Sequence, residues 1–292
     1  MTDNTERSFR DKWEHNQQLA FSATLEDGHE ISRWILERNG FAGKQELERF
    51  LADKTAVLDA GCGNGRVTAL LRQCSSPVRT RVVGVDLVAA EVARANLAGC
   101  ANLEVRQADL LGDLSSLGQF DFIYCQEVLH HTADPERAFR NLCGLLRPGG
   151  LIAIYVYKRK APAREFVDDY VRGQIAGLPY DEAMRIARQI TALGKALAEL
   201  HLEVDVPPVE VLEIPEGRYD LQRFLYHFFM KCFWNPKLNF EENAAINYDW
   251  YHPQLCSRHT LDEIRQWFGR AGLQVMHEYV DFYGITMHGR RP

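Results

Sequence analysis

The sequence lacks any C-x-x-C pair, and its seven cysteines are scattered at positions 62, 74, 100, 125, 143, 232 and 256. An odd number of isolated cysteines is typical of reduced thiols and argues against a disulfide framework or a zinc site. No apolar run approaches the roughly 18 residues that cross a bilayer, and the amino-terminal stretch lacks the apolar core of a signal peptide. We therefore expect a cytoplasmic protein with no membrane segment and no metal.

An excess of positive charge is also missing, since 34 Lys and Arg stand against 40 Asp and Glu, for a formal charge of -6. Domains that hold nucleic acid by neutralising phosphates usually carry a basic surplus, so no nucleic-acid partner is expected. Hydrophobic residues make up 46% of the chain, which excludes disorder as its dominant state. A chain of 292 residues suits two domains, or one α/β domain with a large insertion.

Short apolar runs alternate with helical stretches from about residue 55 onward. The runs at 56–60, 81–86, 102–106, 120–125 and 151–157 read as strands, and two more are expected at 275–280 and 284–288. Strands that alternate with helices predict a parallel sheet covered by helices on both faces.

Two helix starts have a clear chemical signature. Asp134 followed by Pro135 is an N-cap with a first-turn proline, and this helix is expected to run past Leu146. Thr260 and Glu263 form a capping box at the start of a second helix.

About 100 residues after the fifth predicted strand fall outside the alternating pattern. Apolar residues at helical spacing from Ala183 to Leu200 predict one long amphipathic helix, as lid packing or as the contact of a homodimer. An aromatic-dense stretch follows, and we interpret 159–256 as an inserted cap that binds the substrate. Residues 1–53 then form a helical amino-terminal segment, and the main domain comprises 54–158 and 257–292.

An acid and three alternate glycines follow the first predicted strand, in the stretch Asp59-Ala60-Gly61-Cys62-Gly63-Asn64-Gly65-Arg66. Residues 61–65, here called the glycine loop, bring bare backbone into contact with a ligand. The dinucleotide pattern G-x-G-x-x-G is not met, because Arg66 occupies the place of the third glycine, and the G-K-[ST] of a P-loop is absent. Asp59 would repel a diphosphate and attract a positively charged ligand group.

This motif resembles the first motif of the class I S-adenosylmethionine-dependent methyltransferases, an acid-x-G-x-G-x-G after strand one. The resemblance covers about 55–157 and the elements from about 260, including VLHHTADPERAFRNLCGLLRPGGLIAI. It implies an α/β, Rossmann-like fold with a seven-stranded, mostly parallel sheet and an inserted helical and aromatic cap. It also implies methyl transfer, with S-adenosylmethionine as cofactor and S-adenosylhomocysteine as product.

The resemblance also implies cofactor roles for individual residues. Asp59 and the glycine loop would hold the methionine end, and Asp86 would accept both ribose hydroxyls. Asp109 would bind the adenine amino group, and Gln126 and Glu127 would lie next to the sulfonium. The cofactor-binding candidates are Asp59, Gly61, Cys62, Gly63, Asn64, Gly65, Arg66, Asp86, Leu87, Asp109, Leu110, Gln126 and Glu127.

Methyl transfer mainly needs the nucleophile to be positioned, and a hydroxyl nucleophile also needs a base. His130 and His131 follow the fourth strand and are the candidate catalytic residues, since imidazole titrates near neutrality. The alternative for His131 is a hydrogen bond to the backbone that fixes the loop. Residues predicted to bind the acceptor are Tyr155, Tyr157, Lys158, Tyr226, Tyr248, Trp250, Tyr251 and His252.

The predicted acceptor is a small molecule, such as a metabolite or a sugar, because a large cap encloses its substrate. Three alternatives stay open. Lys158 to Lys160 with Arg290 and Arg291 would serve an RNA-directed methyltransferase, the fold would also suit a non-catalytic cofactor-binding protein, and Asp86 alone would fit a nicotinamide cofactor. The sequence does not choose among oxygen, nitrogen, sulfur and carbon as the methylated atom.

Overall fold

The computed structural model describes residues 4–292 and divides the chain into two compact units. One unit comprises Trp13–Lys158 and Ser257–Pro292, and we call it the sheet unit. The other comprises Arg159–Cys256 together with the amino-terminal residues up to Lys12, and we call it the inserted unit. The amino-terminal segment predicted at 1–53 is therefore divided between the two units.

The helices are α1 (Asn4–His15), α2 (Phe21–Leu25), α3 (Glu30–Arg38), α4 (Lys44–Leu51), α5 (Arg66–Gln73), α6 (Ala90–Asn96), α7 (Pro135–Gly144), α8 (Pro162–Ile175), α9 (Tyr180–Ala198), α10 (Leu221–Phe228), α11 (Phe240–Tyr251) and α12 (Leu261–Arg270). The strands are β1 (Ala56–Ala60), β2 (Arg81–Asp86), β3 (Leu103–Gln107), β4 (Phe120–Gln126), β5 (Leu146–Tyr157), β6 (Glu203–Val206), β7 (Gly217–Asp220), β8 (Gln274–Val280) and β9 (Gly284–Arg290). Among residues 4–292, no helix is long and apolar enough to cross a membrane.

The sheet unit contains a seven-stranded sheet in the order β3-β2-β1-β4-β5-β9-β8. The first five of these strands are parallel to one another, and β9 is antiparallel to both of its neighbours, β5 and β8. This arrangement confirms the predicted mostly parallel sheet. The strand order reverses between β1 and β4, and open α/β sheets bind ligands outside the carboxyl ends of the strands at such a point.

Alternation along the strands builds a core on each face of this sheet. Leu58, Ile123 and Ile152 pack on one face with α7 and α12, whereas Val57 and Phe122 pack on the other with α3, α4 and α5. The central strands are therefore fully buried, as expected for parallel strands covered on both sides.

The predicted helix starts are confirmed, but one predicted end is wrong. The Asp134 side chain accepts from the Arg137 amide, and Thr260 and Glu263 form the expected capping box. However, α7 ends at Gly144 and β5 already begins at Leu146, because Leu146 pairs with Phe120 of β4. Cross-strand pairing of this kind is a tertiary interaction that a local stop signal does not reveal.

The inserted unit combines α8–α11 with a small antiparallel sheet of β6 and β7, which the sequence analysis did not predict. The predicted amphipathic helix is α9. Residues 247–251, within the aromatic-dense stretch, form the last turns of α11. The capping box of Asn239 and Glu242 starts that helix.

A buried ion pair lies at the centre of the inserted unit. Asp168 and Arg164 are 1% and 2% exposed, and the Arg164 Nε atom donates to Asp168 at 3.1 Å. Asp168 accepts three further hydrogen bonds, from the Trp250 indole, the Tyr251 hydroxyl and the Lys231 amide. A buried carboxylate with four donors is well compensated for its lost hydration.

Candidate active site

The glycine loop connects β1 to α5 at the point where the strand order reverses. Gly61 and Gly63 have φ angles of +82° and +54°, in the region that side chains rarely adopt. A Cβ atom at Gly61 would lie 2.2 Å from a methyl group of Val128, and one at Gly63 would lie 2.7 Å from the Trp13 ring. The loop therefore needs these glycines, and it presents backbone rather than side chains to a ligand.

Asp86 ends β2 and organises the loop beside it. Its Oδ2 atom accepts from the Gly63 amide at 2.9 Å, and its Oδ1 atom accepts from the amides of Val88 and Ala89. An ionised carboxylate offers about four acceptor positions, so about one is left for a ligand. Accepting both ribose hydroxyls, as predicted, would require Asp86 to release one of these amides.

Asp59 ends β1 in a fully buried position, 3% exposed. Burial raises its pKa to about 7, and the charge of Asp86 adds to this effect, while the Thr68 hydroxyl, which donates at 2.6 Å, opposes it. A cationic ligand group beside Asp59 would offset the cost of burying its charge. The geometry therefore fits the predicted ammonium partner, which stays a prediction.

We expect Asp59→Asn to stabilise the cofactor-free protein, and more so at pH 8 than at pH 5.5. The folded pKa of about 7 exceeds the ordinary value of 3.8, so the contribution of Asp59 to stability is complete below 3.8 and lost as pH rises through 7. The gain should grow by about 2 kcal/mol between the two pH values. Urea unfolding measures it, with the exposed Asp27→Asn as control; an equal gain at both pH values would contradict the raised pKa.

Three other candidates near the loop have structural partners. The Asn64 amide donates to the carbonyls of Gln17 and Leu19, and Arg66 donates to the Thr24 hydroxyl and lies 3.9 Å from Glu127. Burial raises the pKa of the Cys62 thiol well above its usual value, so this thiol is neutral. These contacts explain why Asn64 and Arg66 occupy the loop, and the sequence offered no signal for their partners.

Three cofactor-binding candidates that follow β2 and β3 have different surroundings. Asp109 is exposed, and its Oδ1 atom accepts from the Leu111 amide. Leu110 packs in the core, and the Leu87 carbonyl accepts from Gln107. Asp109 retains a second carboxylate oxygen at the surface, which fits an amino-group ligand, whereas the Leu110 side chain serves the core.

The carboxyl end of β4 carries Gln126 and Glu127. Both amide atoms of Gln126 are buried, and no described residue forms a hydrogen bond with either of them. Glu127 has a φ angle of +59°, and its amide donates to the Tyr155 carbonyl. A buried polar group without a hydrogen-bond partner costs free energy. Gln126 is therefore a candidate for hydrogen bonding to a bound ligand.

The two histidines after β4 occupy different environments. His130 is 0% exposed and stacks on Tyr157, with ring centroids 3.7 Å apart. Its Nδ1 atom accepts from the Tyr157 amide at 3.4 Å, and its carbonyl accepts from the Ser257 amide. The sequence analysis offered a loop-fixing bond to the backbone as the alternative for His131, and His130 makes a bond of this kind. His131 is half-buried, with its ring 4.3 Å from that of His130.

Three predicted acceptor residues lie at the carboxyl end of β5. Tyr155 and Tyr157 are buried on one face of the sheet, with their rings 6.3 Å apart. Lys158 leaves the sheet and forms a bridge with His259. The strand therefore presents aromatic rings beside the end of β4, while the lysine is held by the backbone of the returning chain.

The other predicted acceptor residues are buried in the inserted unit: Tyr226, Tyr248, Trp250, Tyr251 and His252. Tyr248 stacks on His252, whose Nε2 atom bonds the Leu178 carbonyl. Trp250 and Tyr251 donate to Asp168. The Tyr226 ring lies 4.7 Å from the guanidinium carbon of Arg164. All five side chains therefore have structural partners, and contact with an acceptor stays a prediction.

Comparison with known proteins identifies the family. A family model described as a methyltransferase domain matches residues 29–278. The chain belongs to this methyltransferase family. The match confirms the class I fold and S-adenosylmethionine as the cofactor that the sequence motif implied.

Among relatives, the methyltransferase domain is similar to the ubiquinone biosynthesis O-methyltransferase of Pseudomonas aeruginosa, with 33% identity over 46% of this chain and 53% of that protein. It is also similar to the trans-aconitate 2-methyltransferase of Deinococcus radiodurans, with 40% identity over 39% of this chain and 43% of that protein. The chain thus spans about half the length of these relatives. The fold also matches PKMT2 from Rickettsia typhi, with a TM-score of 0.55 and 14% identity over 84% of this chain and 52% of that chain.

The residues at the switch point fit the cofactor. The glycine loop would contact the methionine end of the cofactor through its backbone. Asp59 would face the ammonium group of the cofactor, and Asp86 would accept a hydrogen bond from a ribose hydroxyl. The side-chain amide of Gln126, which has no hydrogen-bond partner among the described residues, would offer the cofactor one more donor and one more acceptor. Within residues 4–292, no group of His, Cys, Asp and Glu side chains is arranged to hold a metal ion.

Proposed function

We propose that this protein transfers a methyl group from S-adenosylmethionine to a small-molecule acceptor. The observation that carries the proposal is the buried Asp59, whose raised pKa makes it a site for a cationic ligand group beside bare backbone. The names of the two relatives above, which refer to ubiquinone biosynthesis and to trans-aconitate, support a small acceptor. The acidic net charge disfavours RNA.

Bound S-adenosylmethionine supplies a methyl group already activated by its sulfonium. The protein's contribution is then to position the acceptor, which typically accounts for about 7 to 11 kcal/mol of barrier reduction. His131 is the stronger candidate for accepting a proton, because the Nδ1 atom of His130 already accepts from the backbone. His130 would position the loop and stack Tyr157.

We also propose that the inserted unit contributes to acceptor selectivity. Its chain begins at Arg159, directly after β5, and β5 carries Tyr155 and Tyr157. An insertion after the carboxyl end of a strand is a common place for residues that select a ligand.

The test combines cofactor binding with the destination of the methyl label. Calorimetry should show that the protein binds S-adenosylhomocysteine, and methyl-labelled S-adenosylmethionine should label the small-molecule filtrate of a bacterial extract. Label confined to the RNA or protein fraction would overturn the small-molecule assignment. Binding without any label in either fraction would indicate a non-catalytic protein, and a larger thermal shift with NAD would indicate redox chemistry.

His131→Asn should keep the affinity for S-adenosylhomocysteine and lower the labelling rate by about 10²- to 10⁴-fold, the usual contribution of a placed base. The reason is that this substitution removes the proton acceptor and leaves the cofactor residues unchanged. The exposed His201→Asn serves as control. Full activity in His131→Asn would remove this residue from the mechanism and would suit a neutral amine acceptor, which needs no base.

A further inference from the structure

Arg38, the last residue of α3, is one of the largest fully buried side chains in the sheet unit, at 1% exposure. Its guanidinium carbon lies 3.5 Å from the centroid of the Trp34 ring and 4.0 Å from that of the Tyr155 ring. The planes of the two rings are inclined at 71° to each other, so both rings pack against the cation but do not form a parallel sandwich around it. The N–H groups of the guanidinium point outward in its own plane, where they are available for hydrogen bonding.

That edge has no partner on the protein. None of the Nε, Nη1 and Nη2 atoms of Arg38 forms a hydrogen bond with a described residue, and no described carboxylate forms an ion pair with it. Burying a charge without a hydrogen-bonded counterion is costly, and stacking on rings does not satisfy the N–H groups. A planar fork of donors that packs against two rings matches a planar carboxylate, which accepts two parallel hydrogen bonds.

Two more unpartnered polar groups lie in the same row of the sheet. Gln126, Tyr155 and Thr286 are neighbours across β4, β5 and β9, so their side chains share one face. The amide of Gln126 and the hydroxyl of Thr286 are buried and, like Arg38, lack a hydrogen-bond partner among residues 4–292. This face thus combines one buried cation with donors and acceptors that no protein group satisfies.

The surroundings hold Arg38 in this place. Its carbonyl accepts from His277 at 2.8 Å, and the neighbouring Asn39 bonds His288 and the Ile35 carbonyl. Burial and His277 lower the pKa of His288 to about 3, so His288 is neutral and adds no second cation. The Tyr155 ring has space because residue 284 is a glycine. A Cβ atom at this position would lie 2.3 Å from the ring.

We infer that Arg38 binds a carboxylate of the methyl acceptor, with Gln126 and Thr286 completing the polar contacts, so that this enzyme methylates carboxylic acids or molecules carrying one. The inference rests on the proposed function. The cofactor has a carboxylate too, on the same carbon as its ammonium, which would stay near Asp59 on β1. Tyr155 lies on β5, two strands or about 10 Å from β1 across the sheet. Arg38 is nevertheless close enough to Arg66, next to the glycine loop, for its charge to add to the lowering of the Arg66 pKa that burial causes. The titration with S-adenosylhomocysteine below therefore decides between the two carboxylates.

The experiment compares acids with their uncharged amides. 4-Hydroxybenzoate and 4-hydroxybenzamide, and malonate and malonamide, are titrated by calorimetry and thermal shift, with and without S-adenosylhomocysteine. The wild-type protein should prefer the acids by at least about 10-fold. Arg38→Met should lose this preference, keep its S-adenosylhomocysteine affinity within about twofold, and not unfold at a lower temperature. Arg38→Lys should retain part of the preference, and Arg33→Met, exposed on the same helix, should retain all of it.

Two results would overturn the inference. Equal binding of acids and amides by the wild-type protein would exclude a carboxylate site, and a tenfold loss of S-adenosylhomocysteine affinity in Arg38→Met would assign the guanidinium to the cofactor instead. Failure of the proposed function has a separate signature, since it would appear as no S-adenosylhomocysteine binding in the wild-type protein. In that case, the titrations of acids and amides without S-adenosylhomocysteine would still test whether Arg38 binds a carboxylate.

Discussion

Asp86→Ala should weaken the binding of S-adenosylhomocysteine by at least about 100-fold, because it would remove the predicted hydrogen bond to the cofactor and would also release the glycine loop. The Asp86 carboxylate holds the amides of Gly63, Val88 and Ala89, so its loss leaves three donors without their acceptor. The loop would then have to be ordered again by the ligand, at an entropic cost to binding. Titration calorimetry measures the change.

The control for this variant is Glu91→Ala, which removes an acid on α6, close to Asp86 in the chain. The Glu91 side chain is 85% exposed and forms an ion pair with its helix neighbour Arg94. Its loss should leave the affinity unchanged. Near-normal affinity in Asp86→Ala would defeat the assignment of this carboxylate to the cofactor.

Asp168→Ala should lower the free energy of unfolding of the inserted unit by about 3 to 5 kcal/mol, the usual cost of leaving a buried charge without its partner. Arg164 is 2% exposed and donates to this carboxylate, so the substitution strands its charge away from water. The indole of Trp250 and the hydroxyl of Tyr251 lose their acceptor as well. Chemical unfolding followed by tryptophan fluorescence reports the loss directly, because Trp250 is in the inserted unit.

Asp169→Ala is the matched control, since it removes the neighbouring carboxylate of the same helix. Asp169 is 57% exposed and pairs with Arg172, and an exposed pair of this kind contributes at most about 1 kcal/mol. A loss for Asp168→Ala no larger than that for Asp169→Ala would show that the buried network adds little stability.

Local chemistry predicted much of the sheet unit. The strands at 56–60 and 81–86 match β1 and β2 residue for residue, because buried parallel strands appear as continuous apolar runs. The N-cap at Asp134 and the capping box at Thr260 depend only on neighbours in the chain. The end of α7 and the small β6-β7 sheet were missed, because both depend on pairing between distant segments.

The inserted unit shows the limit of composition as a guide. Its density of aromatic residues suggested a surface for the acceptor, but Tyr251 and Trp250 donate to Asp168, and Tyr248 stacks on His252. Asp168 itself went unnoticed, since a single acid in a helix of mixed charge carries no signal. Three of its four hydrogen-bond partners are more than 60 positions away in the chain, so its burial could not be predicted from neighbouring residues.

By itself, the sequence determined the methyltransferase family and the glycine loop, because an acid and alternate glycines after a buried strand form a local pattern that few ligands fit. Only the tertiary structure decided that Asp59 has a raised pKa, that His130 bonds the backbone, and that Arg38 lies unpaired between two rings. These properties follow from desolvation and from contacts between segments that are distant in the chain. Neither effect produces a recognisable pattern in the sequence.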